Sequence, residues 1–136
     1  MRKFAVFLPI LAFASFVAGA VAVNAQSTQL GMLDQLERGG WVIALRNVQA
    51  PDQKICLSTG HELIQLRHSG LKCRSVVVDD TPNEVTVQYS CPGAGYGRTN
   101  IRRETNRLVQ IDSQGIENGL PFAFAAEARW SGSCNR

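Results

Sequence analysis

Val85-Thr86-Val87-Gln88-Tyr89-Ser90-Cys91 alternates apolar and polar residues over its whole length, the cleanest period-two run in the chain. Successive side chains of a strand point to opposite faces, so this run predicts a strand with one face buried and the other in water. Just before it, Asp79-Asp80-Thr81-Pro82-Asn83 is turn chemistry: proline presets its own φ, and Asp and Asn side chains bond nearby backbone. Across that turn, Cys73 to Val78 reads as a partner strand. Downstream, a Gly-rich loop leads to Arg98–Thr105 and Leu108–Asp112, a hairpin about Asn106. A further loop, Gly115 to Gly119, precedes a last strand on which Phe122, Phe124, Ala126, Ala128 and Trp130 share a face.

Upstream of this meander the pattern is mixed. Trp41–Leu45 and Lys54–Leu57 read as strands, separated by a polar stretch around Pro51-Asp52. Thr28 to Arg38 predicts a helix, with Leu30, Met32, Leu33 and Leu36 at helical spacings, Thr28 as cap and Gly39-Gly40 as stop. Thr59 and Glu62 stand at capping-box spacing, Leu63, Ile64 and Leu66 follow, and Gly70 closes a short helix of about eight residues. The expected fold is therefore mainly β (α+β). It is an antiparallel meander or half-barrel sheet with one N-terminal helix, one short inserted helix and two disulfides.

The N-terminus reads as an export signal. Arg2 and Lys3 precede an uncharged apolar run from Phe4 to Val23, and Val23-Asn24-Ala25 offers the small-residue pattern that signal peptidase cleaves. Residues 1–25 are thus the expected signal peptide, and 26–136 a single β-rich domain stapled by disulfides, expected in the periplasm with no membrane span after cleavage. Taking Arg2 and Lys3 from fourteen basic residues leaves twelve against eleven acidic ones. That near-neutral balance implies no nucleic-acid partner and no polybasic attachment to a membrane.

Cys56, Cys73, Cys91 and Cys134 all lie beyond the signal, and an even count in an exported chain predicts two disulfides. Their gaps of 17, 18 and 43 residues contain no C-x-x-C, so neither a zinc knuckle nor a thioredoxin-like dithiol is expected. If the strands that flank the short helix are neighbours, Cys56 pairs with Cys73 and Cys91 with Cys134. Cys73–Cys91, joining the open ends of a hairpin, is the geometric rival.

Several residues invite chemical readings. His61 and His68, seven apart, would share a face of one helix, yet lie about 10 Å apart along its axis, too far to chelate one ion unaided. His61-Glu62 opens like H-E-x-x-H, but position 65 is Gln. Gly93, Gly95, Tyr96, Gly97 and Arg98 form a candidate binding loop, in which glycines would let backbone N–H groups approach an anion and Arg98 would fork to it. Arg98 and Arg102 should face one side of their strand, Arg103 and Arg107 the other. No serine sits in a nucleophile elbow. No catalytic residue, metal ligand or cofactor is expected.

Taken in order, Gly40-Trp41, Cys56-Leu57-Ser58 before a short helix, Cys73, Cys91-Pro92-Gly93, Gly97-Arg98-Thr99, Ile111-Asp112-Ser113-Gln114-Gly115 and a cysteine near the end form one frame. This frame resembles the DUF3617 family of secreted proteins from Gram-negative bacteria, over nearly all of the chain beyond the signal. The resemblance implies a periplasmic β-rich domain with structural cysteines and brings no established activity. Many members have a Met- and Gly-rich middle, which this chain replaces with an Arg-rich hairpin, so a soft-metal ligand does not carry over.

The expected function is that of a non-enzymatic periplasmic module binding a periplasmic protein or a small ligand. An alternative is an inhibitor of an envelope hydrolase such as lysozyme, acting through the Gly93–Arg98 loop. A third is an unrecognised hydrolase using His61 or His68.

Overall fold

The computed structural model describes residues 30–134. The expected signal peptide, its cleavage at Ala25 and the Thr28 cap lie outside the described residues. Seven strands form one antiparallel sheet: β1 (Gly39–Leu45), β2 (Gln53–Leu57), β3 (Arg74–Asp80), β4 (Glu84–Cys91), β5 (Gly95–Thr105), β6 (Leu108–Glu117) and β7 (Leu120–Gly132). The order is β2-β1-β7-β6-β5-β4-β3, a five-strand meander extended at β7 by β1 and then β2. One α-helical turn, α1 (Gly31–Asp34), and two 3-10 turns, His61–Leu63 and Leu66–His68, complete the elements.

Alternation decides which face is buried. Trp41, Ile43, Val85, Val87, Ile101, Val109, Ile111, Ala126 and Ala128 lie on one face, and Leu30, Met32, Leu33, Leu36, Leu63 and Ile64 cover it. The core is thus a sheet layer closed by a thin layer of short turns. The opposite face carries Gln88, Arg98, Arg102, Asp112 and Gln114, all exposed, with Thr86 and Gln110 buried among them.

Local chemistry fixes the connections. Asn118 (φ 49) and Gly119 (φ 82) make the two-residue turn between β6 and β7, where both central residues need positive φ. Pro92 and Gly93 (φ 79) hold the positions that proline and glycine favour in a type II turn, and the Ala94 N–H closes it onto the Cys91 carbonyl at 3.0 Å.

Three expectations need correction. The helix expected over 28–38 is a single turn within the described residues. The N–H groups of Gln35 and Leu36 fall back to i−3 carbonyls, and that of Glu37 goes to the Asn106 carbonyl at 2.9 Å, so the β5–β6 turn captures the backbone that a helix would have used. The inserted helix is two 3-10 turns. Glu62 does accept from the Thr59 N–H, at 3.2 Å, as a capping box requires. The Ile64 carbonyl, however, is taken by the Thr99 hydroxyl at 2.6 Å. The side-chain amide of Gln65 then bonds the His68 and Leu71 carbonyls, and the helix ends there. The two expected loops are shorter than read: β5 begins at Gly95 and β6 runs to Glu117.

The disulfides also differ from the favoured pairing. Cys56 bonds Cys134 and Cys73 bonds Cys91. A Cys56–Cys73 bond is impossible here, because β2 and β3 form opposite edges of the sheet. Arg74 faces Ser90 in register, which sets Cys73 opposite Cys91. Gly40 pairs with Cys56 on one side and Gly132 on the other, so the C-terminal segment crosses the end of β1 to reach β2. A side chain would block that crossing: a Cβ on Gly39 would strike the Gly132 carbonyl oxygen, and one on Gly40 would lie 3.1 Å from the Ser131 hydroxyl. Gly39-Gly40, read from the sequence as a helix stop, is the crossing point.

Candidate functional site

β1 and β7 run side by side only in part. Leu45 pairs with Ala126, and the Arg46 N–H still reaches the Ala125 carbonyl at 2.8 Å. Asn47 then adopts a left-handed conformation (φ 64), which turns the chain away from the sheet. Asparagine accepts that conformation more readily than most residues. Leu120 to Ala125 therefore have β6 on one side and, among the described residues, no strand on the other.

The hairpin register says which backbone groups face the gap. In a two-residue hairpin the closing pair, Glu117 and Leu120, exchanges hydrogen bonds, so even-numbered β7 residues bond to β6 and odd-numbered ones turn outward. The outward groups are the Pro121 carbonyl, the Ala123 N–H and carbonyl, and the Ala125 N–H. Pro121 has no N–H to leave bare, a placement suited to a sheet edge.

Around this edge lies an open groove of about 880 Å³. Arg46, Arg67 and Arg98 bring positive charge to it, Phe122 and Phe124 an apolar flank, and Ala123 and Ala125 a low floor. Arg46 is held by Asp112 at 3.5 Å and Arg67 by Glu117 at 2.7 Å, with its guanidinium 5.5 Å from the centre of the Phe122 ring. Arg98 has no ion pair among the described residues. A smaller hollow of about 370 Å³, lined also by Tyr96 and Gly97, shares Arg98, Gln114, Phe122 and Ala123 with the groove.

Of the expected binding loop, Arg98 lines the groove and Tyr96 and Gly97 line only the adjoining hollow, all three as strand residues, while Gly93 and Gly95 lie in or beside the β4–β5 turn and line neither. Gly97 has a structural reason: Tyr89 lies across it, and a Cβ there would stand 2.5 Å from the ring. Arg102 pairs with Glu104, Arg103 is spread over Gln35, Asn83 and Asn106, and Arg107 stacks 4.4 Å from the Trp130 ring centre. They form no joint patch.

The two histidines separate. His61 meets Asp34 at 3.0 Å at the rim. His68 is buried, with Nε2 3.4 Å from the Ala94 carbonyl and Nδ1 3.1 Å from the Tyr89 hydroxyl. A carbonyl only accepts, which assigns the proton to Nε2; in the neutral ring Nδ1 then accepts from Tyr89. Burial pushes the Tyr89 phenol above its ordinary value, aided by the nearby Glu117 charge and opposed by the Arg67 charge and the neighbouring Ser113 hydroxyl. Among the described residues, no three His, Cys, Asp or Glu side chains gather as metal ligands. No helix among them is long and apolar enough to cross a membrane.

The sequence reading missed Arg46, Arg67, Pro121, Phe122 and Ala123. Pro121 opening a strand after Asn118-Gly119 was the available signal, since proline marks edges. No protein-family model, curated protein or solved structure matches the chain.

Proposed function

We propose that this chain is an exported, non-catalytic binding module that takes its ligand in the groove beside β7. The observation that carries this is the β7 edge, bare among the described residues, with an arginine that has no ion pair among them and two half-buried phenylalanines around it. Exposed backbone edges are ordinarily covered, and exposed apolar surface framed by polar groups marks an interaction site. Two disulfides support an oxidising compartment, and with the apolar N-terminal run they favour the periplasm. The cysteine frame resembling DUF3617 proteins supports the same reading.

The test is retention of ligand. Protein immobilised on beads is incubated with soluble envelope contents, alongside an Arg98→Glu form, and bound peptides, glycans and small molecules are identified by mass spectrometry. A species held by the wild type and lost from the variant is expected. Substrate turnover by the purified protein, abolished by one point substitution, would replace binding with catalysis.

A second reading has one observation in its favour. Tyr96 is 54% exposed beside Arg98, and the two are residue types that anchor protein interfaces. An inhibitor of an envelope hydrolase would use this strand face rather than a long inserted loop, since the Cys91–Ala94 turn is tight. Undiminished lysozyme activity at large molar excess excludes it for that enzyme.

A further inference from the structure

We infer that the groove's ligand is an extended polypeptide segment of a partner protein, added as a strand to β7 and carrying an acidic residue on the alternate positions that face Arg98; this rests on the binding reading above. Three observations lead there. The outward carbonyl of Pro121 and the N–H and carbonyl of Ala123 stand at the two-residue interval at which a neighbouring strand presents its partners, up to Ala125, where Arg46 still holds the place. The place beside them is the one β1 would have filled had Asn47 not turned away, the position of a neighbouring strand.

The two faces of the added strand meet different surroundings. Side chains in line with Phe122 and Phe124 fall on the side of the buried layer, against aromatic surface; apolar residues suit them. Side chains in line with Ala123 fall on the outer face. There small alanines leave the way open across Gln114 toward Arg98, which has no ion pair among the described residues. Of the charged side chains that line the groove, Arg46 is paired with Asp112 and Arg67 with Glu117, so the excess is the single positive charge of Arg98, which an acidic residue of the segment neutralises. A second copy of this chain is the less fitting occupant, because β7 against β7 would bring two such positive charges together. A binding mode of this type draws affinity from main-chain bonds and specificity from alternate side chains.

The experiment uses the oxidised full chain and labelled synthetic peptides that alternate valine with glutamate or valine with lysine. The glutamate peptide should bind by fluorescence anisotropy and slow hydrogen exchange at the Ala123 amide; the lysine peptide should not. Arg98→Glu should weaken binding about tenfold or more, as loss of a charge-assisted bond predicts. Ala123→Pro, which removes an outward N–H at an edge that already carries Pro121, should abolish binding with the circular dichroism unchanged.

Binding that survives Ala123→Pro overturns strand addition, as does an Ala123 amide already protected in the free protein or a dimer dissociated by that variant. A glycan or small anion whose retention is lost in Arg98→Glu yet kept in Ala123→Pro overturns this inference and leaves the binding function standing. Loss of every ligand in the bead assay overturns both.

Discussion

The N–H of Arg46 donates to the carbonyl of Ala125 at 2.8 Å, and one residue later Asn47 has φ 64. The last bond of the β1 side and the turn that ends it are thus adjacent. Asn47→Val should destabilise the protein by about 1–3 kcal/mol, because a β-branched side chain is strained in the left-handed region, while Asn47→Gly should lie within about 0.5 kcal/mol of the wild type. Urea unfolding midpoints check this; equal midpoints for Val and Gly would show that the conformation at 47 is not held in solution.

The disulfide pairing gives a second expectation. Closing 78 residues with Cys56–Cys134 and 18 with Cys73–Cys91 stabilises by about 4.5 and about 3 kcal/mol in the loop-entropy model. Cys56→Ala with Cys134→Ala should therefore cost more than Cys73→Ala with Cys91→Ala, by about 1 kcal/mol. Non-reducing peptide mapping checks the connectivity itself, and a linked Cys56–Cys73 peptide would refute it.

What was legible in the sequence was local. The alternation from Val85 to Cys91 places a strand whatever lies beside it, and Asn118-Gly119 specifies a hairpin by backbone sterics alone. The cysteine pairing was not legible, because it depends on β1 and β2 joining the meander at β7, a neighbour relation between segments some 80 residues apart. The helix expected after Thr28 failed for a related reason: its spacing of leucines fits a helix, but Asn106 competes for its backbone. The groove is a consequence of where β1 stops, and a strand's end is set by a single residue, Asn47, which in the sequence reads as ordinary loop.

Tyr89 and His68 form the buried polar link between the 3-10 turn and β4. Tyr89→Phe should cost about 1–3 kcal/mol, since His68 Nδ1 loses its partner in a site with little access to water. The phenol's raised pKa has a sign to match: its contribution is complete below the ordinary tyrosine value and is lost as pH rises through the folded value. In a Tyr96→Phe background, so that Tyr89 is the sole remaining tyrosine, tyrosinate absorbance should appear above pH 10.0. Ionisation at or below that value would mean the ring is in water.

Glu62 supplies the acid-side counterpart. Burial acts to raise its carboxyl pKa, but the Ser58 hydroxyl and the backbone N–H groups of Ser58 and Thr59 all donate to it, and together they hold it below its ordinary 4.5. A depressed carboxylate contributes stability that is present above the unfolded value and lost as pH falls through the folded one. The protein should therefore lose stability below about pH 4.5, and Glu62→Gln should flatten that part of the curve while leaving a smaller deficit at pH 7. Since the glutamine keeps the shape but accepts less strongly, the two curves should converge in acid. Urea midpoints measured from pH 7 down to pH 3 decide it: parallel curves would show that the charge of Glu62 does not hold the start of the 3-10 turn.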